Sequence, residues 1–187
     1  MGAFMNTTNW KIAEQSKKSI EKALLTLMNT DTFKEITITQ IAQEAKLSRK
    51  TFYRLFPDKE SVIQSIVERK TVAFLSIIRE QGIRHYWDMV KCFFSFCEGE
   101  KDLLLLLKRH NLLYIVSQVF YEYSARVFEI VRSKETAESF SDSLSYLLTY
   151  SLGGMCSLLL KWIEEDMTVD YNMFIDALHK GFQSVDI

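Results

Sequence analysis

Little in this chain breaks a helix. One proline, Pro57, and six glycines in 187 residues leave few places for hairpins or flexible linkers, which argues against a β architecture and predicts an all-α fold. The three cysteines, Cys92, Cys97 and Cys156, stand apart among aromatic and aliphatic residues, with no CxxC and no Cys/His cluster. Buried, reduced thiols are expected, and neither a disulfide framework nor a zinc site. His85, His110 and His179 form no HExxH and no i,i+4 pair, so no metal and no cofactor is expected. No unbroken apolar run is longer than Leu103 to Leu107, far below the ~18 residues that cross a bilayer. The start of the chain has no basic stretch followed by an apolar one, and Asn6 stands where N-myristoylation wants Ser or Thr. A cytoplasmic protein without a membrane partner is expected. A glycine-rich phosphate loop, a GxSxG and a paired acid/base motif are all missing, which predicts that the chain is not an enzyme.

What is present is apolar and unevenly charged. Hydrophobic residues make up 48% and aromatics 13%, enough for a substantial core. The net charge of −1 hides an asymmetry: residues 1–70 carry 12 Lys/Arg against 8 Asp/Glu, a net +4, and residues 71–187 carry 11 against 16, a net −5. A basic first third on an acidic remainder fits a nucleic-acid end joined to a body that avoids DNA.

The stretch from Thr37 to Lys59, TITQIAQEAKLSRKTFYRLFPDK, reads as two short helices with a tight joint. Thr37 stands where an N-cap is expected, and Gln40, three positions on, completes a capping box. Ile41, Ala42 and Ala45 share one face and let a second helix approach closely. The pattern stops at Lys46. Leu47 plugs the corner and Ser48 caps a second helix over residues 49–56. Phe52, Leu55 and Phe56 take its inner side, leaving Arg49, Lys50, Thr51, Tyr53 and Arg54 directed outward. Those side chains suit DNA: Arg forks onto guanine O6 and N7, Thr meets a thymine methyl or a phosphate, and Tyr donates to the backbone. Pro57 ends the helix, Asp58 caps the next, and Lys59 stands at that helix's N-terminus, where charge and free N–H groups favour a phosphate.

With the apolar helix before it and the long helix after it, this unit closely resembles the N-terminal DNA-binding domain of TetR-type transcriptional regulators. The matching residues are Ile41-Ala42, Ala45, Leu47-Ser48, Thr51-Phe52-Tyr53, Phe56 and Lys59-Glu60, and the resemblance covers about the first 70 residues. Lys46 departs from it, since the family usually has Gly at the turn; a non-glycine residue there must bear a left-handed or strained backbone at roughly 1 kcal/mol. The resemblance implies a three-helix helix-turn-helix domain over residues 1–58, joined by a long helix to a helical effector-binding and dimerisation domain over 59–187. It places Thr39 and Gln40 where relatives touch the DNA backbone or flanking bases. The DNA-binding set is therefore Thr37, Thr39, Gln40, Ser48, Arg49, Lys50, Thr51, Tyr53, Arg54 and Lys59.

Beyond that unit, apolar periodicity predicts helices from about Thr8 to Asn29, from Asp58 to Gln81-Gly82, around Trp87 to Cys97, over Leu103 to Leu107, from Leu113 to Val131, from Ser141 to Glu165 and from Asp170 to Gln183. Broad aromatic stripes in the body admit two readings, an ordinary core or a pocket for a small apolar molecule. Phe93, Tyr114, Tyr121, Tyr146 and Tyr150 are the candidate lining residues. The last two helices resemble, in plan, the pair with which TetR-type proteins form a four-helix dimer interface, with Leu147, Gly153, Gly154, Leu158, Phe174 and Leu178 as candidates. A homodimer also follows from energetics, because one recognition helix makes too few base contacts to outcompete a genome of non-specific sites. The resemblance implies a repressor on a palindromic operator, released by a small apolar ligand. The other reading is a DNA-anchored co-activator or adaptor whose body binds a protein and no small molecule.

Overall fold

Apolar residues at three- and four-residue spacing become the buried faces of helices in the computed structural model, which describes residues 2–83, 85–131 and 144–184. In chain order these are α1 (Gly2–Leu27), α2 (Ile38–Glu44), α3 (Arg49–Leu55), α4 (Lys59–Gln81), α5 (Tyr86–Gly99), α6 (Lys101–Arg109), α7 (Leu113–Val131), α8 (Leu144–Glu164) and α9 (Tyr171–Ser184). No strand occurs among the described residues, as the scarcity of glycine and proline predicts. α1 begins at Gly2, earlier than its apolar stripe indicates, and the expected start of α8 at Ser141 lies outside the described residues.

The chain divides into two compact units, residues 1–68 and 69–187. Ile20 and Leu24 of α1, Met28, Phe33 and Ile36 of the turn after it, Ile41 and Ala42 of α2, and Phe52 and Phe56 at α3 are all buried. Val62, Ile63 and Ile66 on the first turns of α4 join the same buried set. The Ser65 hydroxyl also donates to the buried Glu21 carboxylate at 3.0 Å. The division therefore falls inside α4 and not at 58/59, because these first turns pack with the helix-turn-helix.

The second unit is built on aromatic packing. Phe93 lies 5.6 Å from Phe74, 5.2 Å from Phe94 and 5.2 Å from Phe120, between ring centroids. Phe94, fully buried, stands edge-on to Phe174 at 4.9 Å and to Trp162 at 5.8 Å, the geometry favoured by aromatic quadrupoles. The Trp162 indole donates to Val169 O at 2.8 Å, so its buried N–H is satisfied. Two lysines hold the chain just beyond α8: Lys101 Nζ donates to Met167 O, and Lys108 Nζ to Glu164 O and the Asp166 carboxylate, each at 2.8 Å. Cys97 and Cys156 are buried and Cys92 is half-buried, all as free thiols. Burial pushes the pKa of each upward, with a weak bond to Ser117 opposing it at Cys156.

With so little glycine, three of the four left-handed helix ends among the described residues fall on residues other than Gly. Lys46, Gly82, Asn111 and Asp166 all take left-handed backbone, with φ of 56°, 63°, 58° and 57°. In each case the next N–H reaches back across the last turn, from Leu47 to Ala42 O, Ile83 to Ile78 O, Leu112 to Leu107 O and Met167 to Trp162 O. This is the Schellman arrangement, in which the left-handed residue most often is Gly. Lys46 thus bears the strain its sequence position implies.

Two stability outcomes follow. Lys46→Gly removes the left-handed penalty of ~1–2 kcal/mol against a smaller loss through the freer unfolded chain; a net gain of about 0.5–1 kcal/mol is expected, read as a rise of a few degrees in thermal melting. Phe94→Ala leaves a cavity beside Phe93, Trp162 and Phe174 and is expected to cost about 3–5 kcal/mol in denaturant unfolding. A cost below about 1 kcal/mol would mean that the ring stack does not hold the second unit.

Candidate nucleic-acid interface

The first helix of the candidate site starts with a closed capping box. Thr37 Oγ1 accepts from Gln40 N–H at 3.2 Å, and Gln40 Oε1 accepts from Thr37 N–H at 2.8 Å and from its hydroxyl at 2.7 Å. Both side chains are thus engaged with each other at the surface, and Thr39 between them is exposed. The left-handed turn at Lys46 then redirects the chain, with Leu47 half-buried. Ser48 caps α3, its hydroxyl accepting from Thr51 N–H at 3.1 Å and meeting the Thr51 hydroxyl at 3.0 Å. That second contact fixes the Thr51 side chain.

Phe52 is fully buried and Phe56 nearly so, which anchors the inner side of α3. Arg49, Lys50, Tyr53 and Arg54 are exposed, and Thr51 is half-buried. The Tyr53 ring stands edge-on to Phe52 at 5.8 Å, so the buried ring supports an outward tyrosine. α3 therefore presents three cations and a phenol on one short helix. Donors of this kind, on a rigid helix with a braced base, suit phosphate and base-edge contacts in a major groove.

Lys59 is arranged differently. Its ammonium points back into the domain, donating to Phe33 O, to Lys34 O at 3.1 Å and to Ile36 O at 2.9 Å, and it sits 4.7 Å from the centre of the Phe33 ring. The three protons that would meet a phosphate are directed at three carbonyls. Asp58 caps α4 as expected, accepting from Ser61 N–H at 2.7 Å. Two further contacts had no signal in sequence spacing, the Lys17 ammonium 5.8 Å from the Phe56 ring centre and the Ser65–Glu21 bond.

In the second unit an apolar cleft of about 460 Å³ is lined by Tyr86, Trp87 and Val90 of α5, by Thr149 to Ser151, Gly153 to Met155 and Leu158 of α8, and by Leu178 of α9. Of the candidate pocket residues, Tyr150 is in this lining, whereas Phe93 is buried in the aromatic stack. Tyr114, Tyr121 and Tyr146 lie at the surface, at 56%, 50% and 79% exposure. Four candidate interface residues, Gly153, Gly154, Leu158 and Leu178, line the same cleft, while Phe174 packs on Phe94 and Trp162. The side chain of Leu147 lies outside the described residues. A Cβ at Gly154 would meet nothing within 4 Å, so no close contact within the chain calls for glycine there. Burial raises the Tyr86 phenol above its ordinary pKa, with a hydrogen bond to Ser151 opposing and the nearby Tyr150 adding to the rise. A second cleft, about 740 Å³, lies between the end of α4, α5 and the start of α9 and is lined partly by His85, Asp88, Lys91 and Cys92. Among the described residues no group of His, Cys, Asp and Glu could hold a metal, and no helix is long and apolar enough to cross a membrane.

A capped, cationic helix set on a buried aromatic base and joined to a second short helix by a tight turn defines a helix-turn-helix unit of the DNA-binding kind. Residues 20–66 match the model of the family described as bacterial regulatory proteins, tetR family. Residues 20–66 thus carry a DNA-binding domain of the TetR type. It is 28% identical over 135 residues to the HTH-type dhaKLM operon transcriptional activator DhaS of Lactococcus lactis, a match covering 72% of this chain and 59% of that relative. It is 34% identical over 55 residues to YxbF, an uncharacterised HTH-type transcriptional regulator of Bacillus subtilis, over 29% of this chain and 14% of YxbF. The matched segments thus span less than two thirds of either curated relative. Two solved structures share the fold. Lin0861 from Listeria innocua superposes with a TM-score of 0.72 at 18% identity over 91% of this chain and 90% of that one. The fatty acid degradation regulator FadR from Bacillus halodurans gives 0.62 at 17% identity over 88% and 93%.

The outward face of α3 makes a specific expectation. Arg49→Ala is expected to cost ~1–3 kcal/mol on the preferred DNA site and to relax selectivity at one base pair. Binding to a panel of single-base variants checks it, and a loss uniform across the panel would reassign Arg49 to a phosphate.

Proposed function

We propose that this chain is a homodimeric regulator that binds a palindromic operator through α3 and is released when a small apolar molecule occupies its second unit. The observation that carries the reading is the coincidence of two features on α8 and α9. The apolar cleft is lined by Gly153, Gly154, Leu158 and Leu178 together with Tyr150, and Tyr150 on α8 and Met173 on α9 are each 68% exposed. A molecule seated in that cleft touches the residues expected to meet a second copy, so its binding would bias one dimer arrangement over another. A coupling of ~1–3 kcal/mol lowers operator occupancy several-fold. Only a ligand with different affinity for the two arrangements has this effect. The polar edge at Tyr86 and Ser151 suits an effector carrying one hydroxyl or carbonyl on an otherwise apolar body.

A second reading, transcriptional activation, is supported by the Lactococcus lactis relative, which is named an operon activator. The DNA contacts are common to both readings. The adaptor reading draws support from the filled aromatic stack around Phe93 and Phe94 and from the exposed Tyr146 and Met173.

Selection of genomic fragments by the purified protein at near-physiological salt tests the DNA half: enrichment of a two-armed palindrome is expected, and retention without a shared sequence excludes a specific dimer. For the effector half, compounds that bind saturably are titrated against operator binding. Release is expected, and Ser151→Trp, which fills the cleft from a position outside the candidate dimer residues, is expected to abolish it while operator affinity in the absence of ligand stays within about twofold. Saturable binding that leaves operator affinity unchanged would exclude effector control.

A further inference from the structure

The helix-turn-helix runs from Thr37, the cap of α2, to Phe56, the residue after α3. Its two ends, far apart in sequence, are brought to one side chain. Lys59 follows α3 by a few residues at the first position of α4, and its ammonium donates to Phe33 O, Lys34 O and Ile36 O. Ile36 directly precedes Thr37. Phe33 and Ile36 are buried, and the ammonium also lies over the Phe33 ring at 4.7 Å. The primary ammonium has three protons, and three carbonyls receive them. A cation at a helix N-terminus opposes the helix dipole, so this placement needs the carbonyls and the ring face to hold it.

We infer that Lys59 is a positioning residue that closes the helix-turn-helix at its mouth, tying the turn before α2 to the start of α4, and that it does not contact DNA phosphate. This rests on the DNA-binding assignment only for its second half. The turn sets where α2 begins and hence where Thr37, Thr39 and Gln40 stand relative to α3. Releasing the turn is then expected to weaken binding to every sequence alike, without removing a phosphate contact.

The test uses the full chain and Lys59→Met, which keeps the aliphatic stem and removes the charge. Without DNA, hydrogen exchange of amides 33–40 is expected to quicken at least tenfold relative to those of α7. With a duplex selected from a random-sequence pool by the unaltered protein, affinity is expected to fall about tenfold or more. The slope of log affinity against log salt should stay the same. A phosphate contact would instead lower that slope by about 0.9 per chain, with exchange unchanged. A lowered slope overturns the inference even if exchange also quickens, and so does unchanged exchange with unchanged affinity. Should the methionine variant fail to fold, Lys59→Arg decides: its charge is kept but its planar fork cannot meet three converging carbonyls, so affinity is expected to fall at unchanged slope, and binding like the unaltered protein overturns the inference. The exchange arm fails or succeeds whatever the protein does with DNA.

Discussion

A helix of seven residues, such as α3, has no stability of its own in water, since it barely exceeds the nucleus that helix formation requires. It persists because Phe52 and Phe56 are buried where α3 packs on α1 and α2. Everything the first unit offers to DNA stands on that burial. The rings hold one side of α3 down, the cap at Ser48 sets its first turn, and the cationic side is left outward by the geometry of a helix and by nothing else. The exposed Tyr53 is part of the same arrangement, because its ring leans on the edge of Phe52.

That part of the site was legible in the sequence because it is local. The capping box at Thr37, the cap at Ser48, the spacing of Phe52 and Phe56 and the strained turn at Lys46 all involve residues within five positions of each other, and the structure has each of them. Lys59 was not legible, because the carbonyls it meets are 23 to 26 residues away and carry no side-chain signature. The reach of α4 into the first unit was hidden for a related reason: an unbroken apolar stripe does not say which core each of its turns enters. In the second unit the order of helices could be read from periodicity, but the roles of the tyrosines could not. Tyr146 and Tyr150 share a helix face, yet only the latter lines the cleft, and Phe93 is held by rings from α4, α5 and α7.

The same shortage of glycine and proline that made the fold legible also shapes its joints. Helix ends leave backbone carbonyls without helical partners, and in this chain long lysines reach several of them. Lys101 and Lys108 serve the end of α8 and the residues after it as Lys59 serves the turn before α2. Left-handed Lys46, Asn111 and Asp166 supply the reversals. Flexible side chains and modest backbone strain stand in for the turn residues that the composition lacks.

The three thiols have a practical consequence. Thiolate, and not thiol, reacts with maleimides and disulfide reagents; Cys97 and Cys156 are buried, Cys92 is half-buried, and burial holds all three toward the protonated form. A cysteine placed at the exposed Lys50 would therefore react well ahead of the native ones. In the dimer proposed above, a probe attached there, in an otherwise unaltered background, would report the spacing of the two copies of α3 directly, as a distance between labels in solution.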